Sequence, residues 1–63
     1  MSGKVLKIER IKADIPQKEM AEAMGVTPSI VSVWERERVK IPEDMERLYL
    51  KKLKELKSEK NKF

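Results

Sequence analysis

The chain has neither cysteine nor histidine among its 63 residues. Without cysteine there are no disulfide staples, no thiolate metal sites and no thiol nucleophile. Without histidine the commonest general base and the commonest neutral metal ligand are also gone. Only carboxylates, amines and hydroxyls remain, so no enzyme, no catalytic residue, no metal and no cofactor is expected. Apolar runs last only a few residues, too short for a membrane span or a signal-peptide core, and a soluble, cytoplasmic chain without a membrane partner is expected. Glycine (two) and proline (three) are scarce, so each one punctuates the chain. The length allows one small domain, residues 1–63, which must pack tightly or gain stability from a partner.

What the chain has is charge. Fifteen Lys and Arg against eleven Asp and Glu give a net charge of +4 and a pI near 9.5. A basic small domain often meets a polyanion, although a lysine-rich surface also serves simple solvation. The positive charge lies at the start, around Arg36–Lys40 and along the tail. Residues 13–26 carry one cation, Lys18, against Asp14, Glu19 and Glu22.

Val5, Leu6, Ile8 and Ile11 fall near helical spacing, which predicts a first helix over about residues 3–13 with these as its apolar members. Ala13-Asp14-Ile15-Pro16 reads as a connector, because proline drives the preceding residue out of the α region. A second helix opens at Pro16 or Gln17 and carries Met20, Ala21, Ala23 and Met24 before Gly25 stops it. Thr27 is a good N-cap with Pro28 in the first turn of a third helix, which runs to about Arg36 with Ile30, Val31, Val33 and Trp34 apolar. After a charged loop, Pro42, Glu43 and Asp44 open a long amphipathic helix over about residues 42–58, and residues 60–63 are expected to fray. The fold class is therefore all-α: a compact four- to five-helix domain with a helix-turn-helix at 17–36 and a long C-terminal helix.

Two short helices joined by a glycine turn have the size of a helix-turn-helix. A close crossing needs a small residue, which Ala21 supplies, and the turn needs a left-handed backbone, which Gly25 supplies. Ile30 or Val31 with Trp34 can form the buried face of the third helix, and Met20, Met24 and Val26 can close the core under the turn.

The run from Gln17 through Ala21, Gly25 and Val26 to Trp34-Glu35-Arg36 closely resembles the phage repressor and Cro (Xre) family, over about two-thirds of the chain. The resemblance implies a repressor-like DNA-binding domain of prokaryotic or phage-like origin whose third helix enters the major groove. The matching base-contact positions are Thr27, Pro28, Ser29, Ser32, Val33 and Arg36. Hydroxyls discriminate weakly, Pro28 and Val33 offer only apolar contact, and Arg36 alone can read guanine through O6 and N7. Thr27 can equally serve as a cap, and Arg36 as a phosphate contact. Gln17, Lys18, Arg38 and Lys40 are the phosphate candidates. The family's ion pair between the first helix and the residue after the tryptophan matches Arg10 and Glu35, a scaffold role for a bidentate pair.

Three features depart from that family. Pro16 stands where a Ser or Thr cap is usual. Glu37 stands where glycine is usual; strain at positive φ predicts that the loop to Pro42 takes another path, and its charge falls near DNA. The apolar residues after Pro42 match the family's fourth helix poorly. Met45, Leu48 and Tyr49 can cover the core, while Leu50, Leu53, Leu56 and Phe63 suit a second copy.

The leading expectation is a sequence-specific regulator of transcription, a repressor that occupies a palindromic operator in double-stranded DNA as a homodimer, at least on DNA. Exposed carboxylates at Glu19, Glu22, Glu35 and Glu37 keep open a protein-interaction module, with a regulatory protein as partner. Weak hydrogen bonding along residues 27–33 keeps open a non-specific DNA-binding protein.

Overall fold

Ser2 opens the first helix, its Oγ accepting the Val5 amide at 3.3 Å. In the computed structural model, which describes residues 1–60, this helix α1 is Gly3–Lys12; α2 is Gln17–Met24, α3 is Pro28–Glu35 and α4 is Glu43–Lys60. Thr27 caps α3 as expected, its Oγ1 accepting the Ile30 amide at 3.3 Å. Pro16 precedes α2 and provides no side-chain cap. Glu43, Asp44 and Glu46 lie at the positive end of α4, and Lys57 and Lys60 at its negative end. The all-α fold class stands, with four helices among the described residues.

Three helices end in the same way. After α1, Asp14 N–H meets Ile11 O and Ile15 N–H meets Arg10 O; after α2, Gly25 meets Glu22 and Val26 meets Ala21; after α3, Glu37 meets Trp34 and Arg38 meets Val33. This paired bonding is the Schellman closure, which places one residue in the left-handed region. Those residues are Asp14 (φ 58°), Gly25 (φ 74°) and Glu37 (φ 61°). The expected detour at Glu37 is therefore corrected: the chain keeps the left-handed turn that glycine makes elsewhere. Tertiary contact offsets the strain, because a Glu37 carboxylate oxygen accepts the Lys4 amide at 3.3 Å in the first turn of α1.

The core consists of Leu6, Ile15, Met20, Ala21, Met24, Val31, Trp34, Ile41, Tyr49 and Leu53, with Ala13, Val26, Met45, Leu48, Leu50 and Leu56 packed partly against it. Ala21 is fully buried on α2, which packs against α3. Of the two candidates for the buried face of α3, Val31 is buried and Ile30 is exposed. Gly3 is a packing residue: a Cβ there would lie 1.8 Å from the Trp34 carbonyl oxygen, so only glycine lets α1 approach the end of α3 this closely.

Two placements differ from the sequence expectation. In α1 only Leu6 of the four apolar residues is buried; Val5, Ile8 and Ile11 are exposed, and the core side of the helix is Gly3, Leu6 and Arg10. Leu53, expected at a contact between two copies, is 8% exposed within one chain, because α4 packs along α2 and carries it inward. Leu50 and Leu56 are half-buried beside it. The expectations for Phe63 and for fraying beyond Lys60 lie outside the described residues.

Candidate nucleic-acid interface

Behind α3, one carboxylate gathers the molecule. Arg10 Nε and Nη2 donate to Glu35 Oε2 and Oε1 at 2.8 and 3.0 Å. Arg10 Nη1 donates to the Ile15 carbonyl at 2.7 Å, closing the turn after α1. Gln17 Nε2, at the start of α2, donates to Glu35 Oε1 at 3.0 Å. The Tyr49 hydroxyl of α4 lies 2.7 Å from Glu35 Oε2 and 3.2 Å from the Leu6 carbonyl; its single proton goes to the closer, charged acceptor. All four helices thus meet at Glu35.

Electrostatics follow from the geometry. Burial alone would push the Glu35 carboxyl up, but hydrogen bonds from Arg10, Tyr49 and Gln17 outweigh it and hold the group below the ordinary carboxylate range. The hydrogen bond to Glu35 raises Arg10 above its ordinary value against the opposing effect of burial. Burial, then the bond to Glu35, raises the Tyr49 phenol and keeps it neutral. Arg10 is 7% and Glu35 3% exposed, so the pair is a scaffold element. Glu35 is thereby removed from the exposed carboxylates expected to meet a protein partner; Glu22 and Glu37 are exposed, and Glu19 approaches Lys60 at 3.6 Å.

On the outer side of α3, Pro28, Ser29, Ser32, Val33 and Arg36 line one depression of about 390 Å³ together with Gln17. Five of the six base-contact candidates are therefore brought together. The sixth, Thr27, is exposed at the N-cap, and its Oγ1 is occupied as an acceptor by Ile30 N–H. Gln17 borders the same depression as α3, but its side-chain donor turns inward to Glu35. Its backbone N–H, in the first turn of α2, is among the amides without an intrahelical partner. Lys18 is exposed in that turn, and Arg38 and Lys40 are exposed in the loop after α3. Beyond the depression, Ile30 and Val39 are exposed around a second, apolar hollow shared with Ser29, Val33 and Trp34.

Two parts of this arrangement are absent from the sequence expectation. The pattern after Pro42 puts Tyr49 over the core, and the signal for its bond to Glu35 is that a buried phenol needs a partner. The signal at Gly3 is that glycine inside a helix costs about 1 kcal/mol relative to alanine and so implies a packing reason.

Two short helices joined by a left-handed glycine turn, the second capped by Thr27, with a buried small residue on the first and a polar tie behind them define a helix-turn-helix protein. The family model for helix-turn-helix proteins of the Cro/C1 type matches residues 6–56, and the chain belongs to this family of DNA-binding proteins. The match runs well into α4, further than the apolar pattern after Pro42 suggested. Comparison with curated proteins and with solved structures gives no match.

Among the described residues no group of His, Cys, Asp and Glu is arranged to hold a metal, and no helix is long and apolar enough to cross a membrane.

Proposed function

We propose that the chain is a sequence-specific regulator of transcription that represses by occupying its operator, with α3 in the major groove. The observation that carries this reading is the shared depression of Gln17, Pro28, Ser29, Ser32, Val33 and Arg36, which puts one side of α3 beside the start of α2. Arg36 reads a guanine edge, Ser29, Ser32 and Thr27 supply adaptable hydrogen bonds, and Pro28 and Val33 meet thymine methyl groups. Lys18, Arg38, Lys40 and the first amides of α2 at Gln17 hold the phosphates and fix the register. Two copies occupy half-sites about one turn apart on a palindromic operator. With Leu53 in the core, their contact through α4 is limited to the half-buried Leu50 and Leu56. The setting is the cytoplasm of a prokaryotic or phage-infected cell.

Selection of bound duplexes from a random DNA pool at fixed salt tests this reading. A palindromic site is the expected outcome; a pool without enrichment overturns sequence specificity and leaves a packaging role. Ser32→Ala and Arg36→Ala should each weaken the selected site by about 1–3 kcal/mol while barely changing affinity for random DNA. Equal losses on both DNAs would remove them from the base-reading set.

A further inference from the structure

The side of α1 turned away from the core carries exposed apolar residues. Val5, Ile8 and Ile11 succeed one another at three-residue spacing, which places them along one side of the helix. They are 41, 50 and 57% exposed. Leu6, Arg10 and Gly3, the buried residues of α1, lie on the opposite side. The fold does not require this arrangement, since a surface helix normally turns polar residues to water. Single exposed apolar residues are ordinary, but a contiguous row of them marks an interaction surface.

The charges around the row select its occupant. Lys4, Lys7 and Lys12 are exposed beside it. Against them stand Glu9, which Lys12 approaches at 3.7 Å, and the exposed Glu37, which shares a hollow with Lys4 and Lys7; the N-terminal ammonium is already paired with Glu46 at 2.8 Å. A second copy on this face would bring lysine against lysine. A lipid surface is a poor match, because the row holds none of the Trp and Phe that anchor interfacial helices.

We propose that the outer face of α1 is a docking surface for an acidic amphipathic helix of a partner protein. The apolar side chains of that helix lie along Val5, Ile8 and Ile11, and its Asp and Glu residues meet Lys4, Lys7 and Lys12. None of the three apolar residues lines the depression on α3, while Lys4 and Lys7 border a hollow with Arg36 and Glu37, so only the lysine edge of this surface adjoins the one proposed to read DNA.

Two synthetic helical peptides of about 14 residues test the proposal. They share a leucine stripe and differ only in Glu or Lys flanks, and each is titrated into the isotope-labelled full chain. The Glu-flanked peptide should shift the amides of α1, bind less tightly as salt rises, and bind Ile8→Glu about tenfold or more weakly than the wild type. Ile11→Gln serves as a milder second variant. Both should keep wild-type melting and DNA affinity. Failure to bind, equal binding of the Lys-flanked peptide, or shifts centred on α3 or α4 would overturn the proposal. So would tighter binding to phosphatidylserine vesicles than to the peptide, or a solution dimer that Ile8→Glu dissociates.

Discussion

Glu35 receives four hydrogen bonds from three side chains on three other helices: Arg10, Gln17 and Tyr49. A buried carboxylate is tolerable only under such conditions, and removing one partner exposes the desolvation cost of the other. Arg10→Ala should therefore cost about 3–5 kcal/mol. In a domain this small that approaches the whole stability, and thermal melts will show a collapsed or absent transition. Tyr49→Phe deletes one bond to the same charge and should cost about 1.5–3 kcal/mol, or roughly 4–8 °C of Tm per kcal/mol. The depressed Glu35 value also sets a pH dependence. Its folded value lies below its unfolded one, so its contribution is complete above the ordinary carboxylate value of 4.5 and disappears as pH falls through the folded value. Stability should decline below about pH 4.5, and the gap between wild type and Glu35→Gln should close in the same range. A gap that stayed constant into acid would show that Glu35 is not held in its charged form.

At the scale of elements, the chain's stops and starts explain which helices could be foreseen. Pro16, Gly25, Thr27 and Pro28 each act through a local preference that holds in any context, so the bounds of α2 and α3 were legible. The turn at Glu37 was not, because glutamate has no such preference, and the acceptor it offers to Lys4 lies 33 residues away in sequence. This makes a discriminating prediction. Glu37→Gly relieves backbone strain of about 1–2 kcal/mol but removes a helix-terminal acceptor of typically about 1 kcal/mol, so its Tm should lie close to wild type. Glu37→Ala retains the strain and loses the acceptor, and it should melt lower than either. The periodicity of α1 misled for another reason. Counting apolar residues finds a helix but cannot say which side is buried when both sides are apolar, and here Leu6 faces inward while Val5, Ile8 and Ile11 do not. Gly3 decides that orientation by letting α1 touch the backbone of α3. Gly3→Ala, with no room for its Cβ, should cost about 1–3 kcal/mol as the helices separate; an unchanged Tm would mean that the contact is not maintained in solution.

At the scale of the molecule, the shared outer side of α3 was legible because family positions, cap and glycine converge on one helix. The division of labour behind it was not. Sequence reads Gln17 as a phosphate contact, whereas its side chain donates to Glu35, and reads Leu53 as a contact between copies, whereas α4 packs along α2 and Leu53 is buried. The remaining cations suited to phosphates are Lys18, Arg38 and Lys40, all exposed around α3. Each neutralised phosphate releases a counterion, so log affinity falls against log salt with a slope of about −0.9 per contact. One chain using these three residues should therefore give a slope of about −2.7, and two chains on a palindrome about −5.4. Arg38→Ala or Lys40→Ala should reduce the slope by about 1 per chain while leaving sequence preference intact. Because the α4 leucines are largely engaged within one chain, the steeper slope should appear only on DNA with two half-sites, and a single half-site should give the shallower one. Equal slopes on both DNAs would mean that the chain already binds as a fixed dimer or never pairs at all. Sedimentation of the free protein separates those two cases.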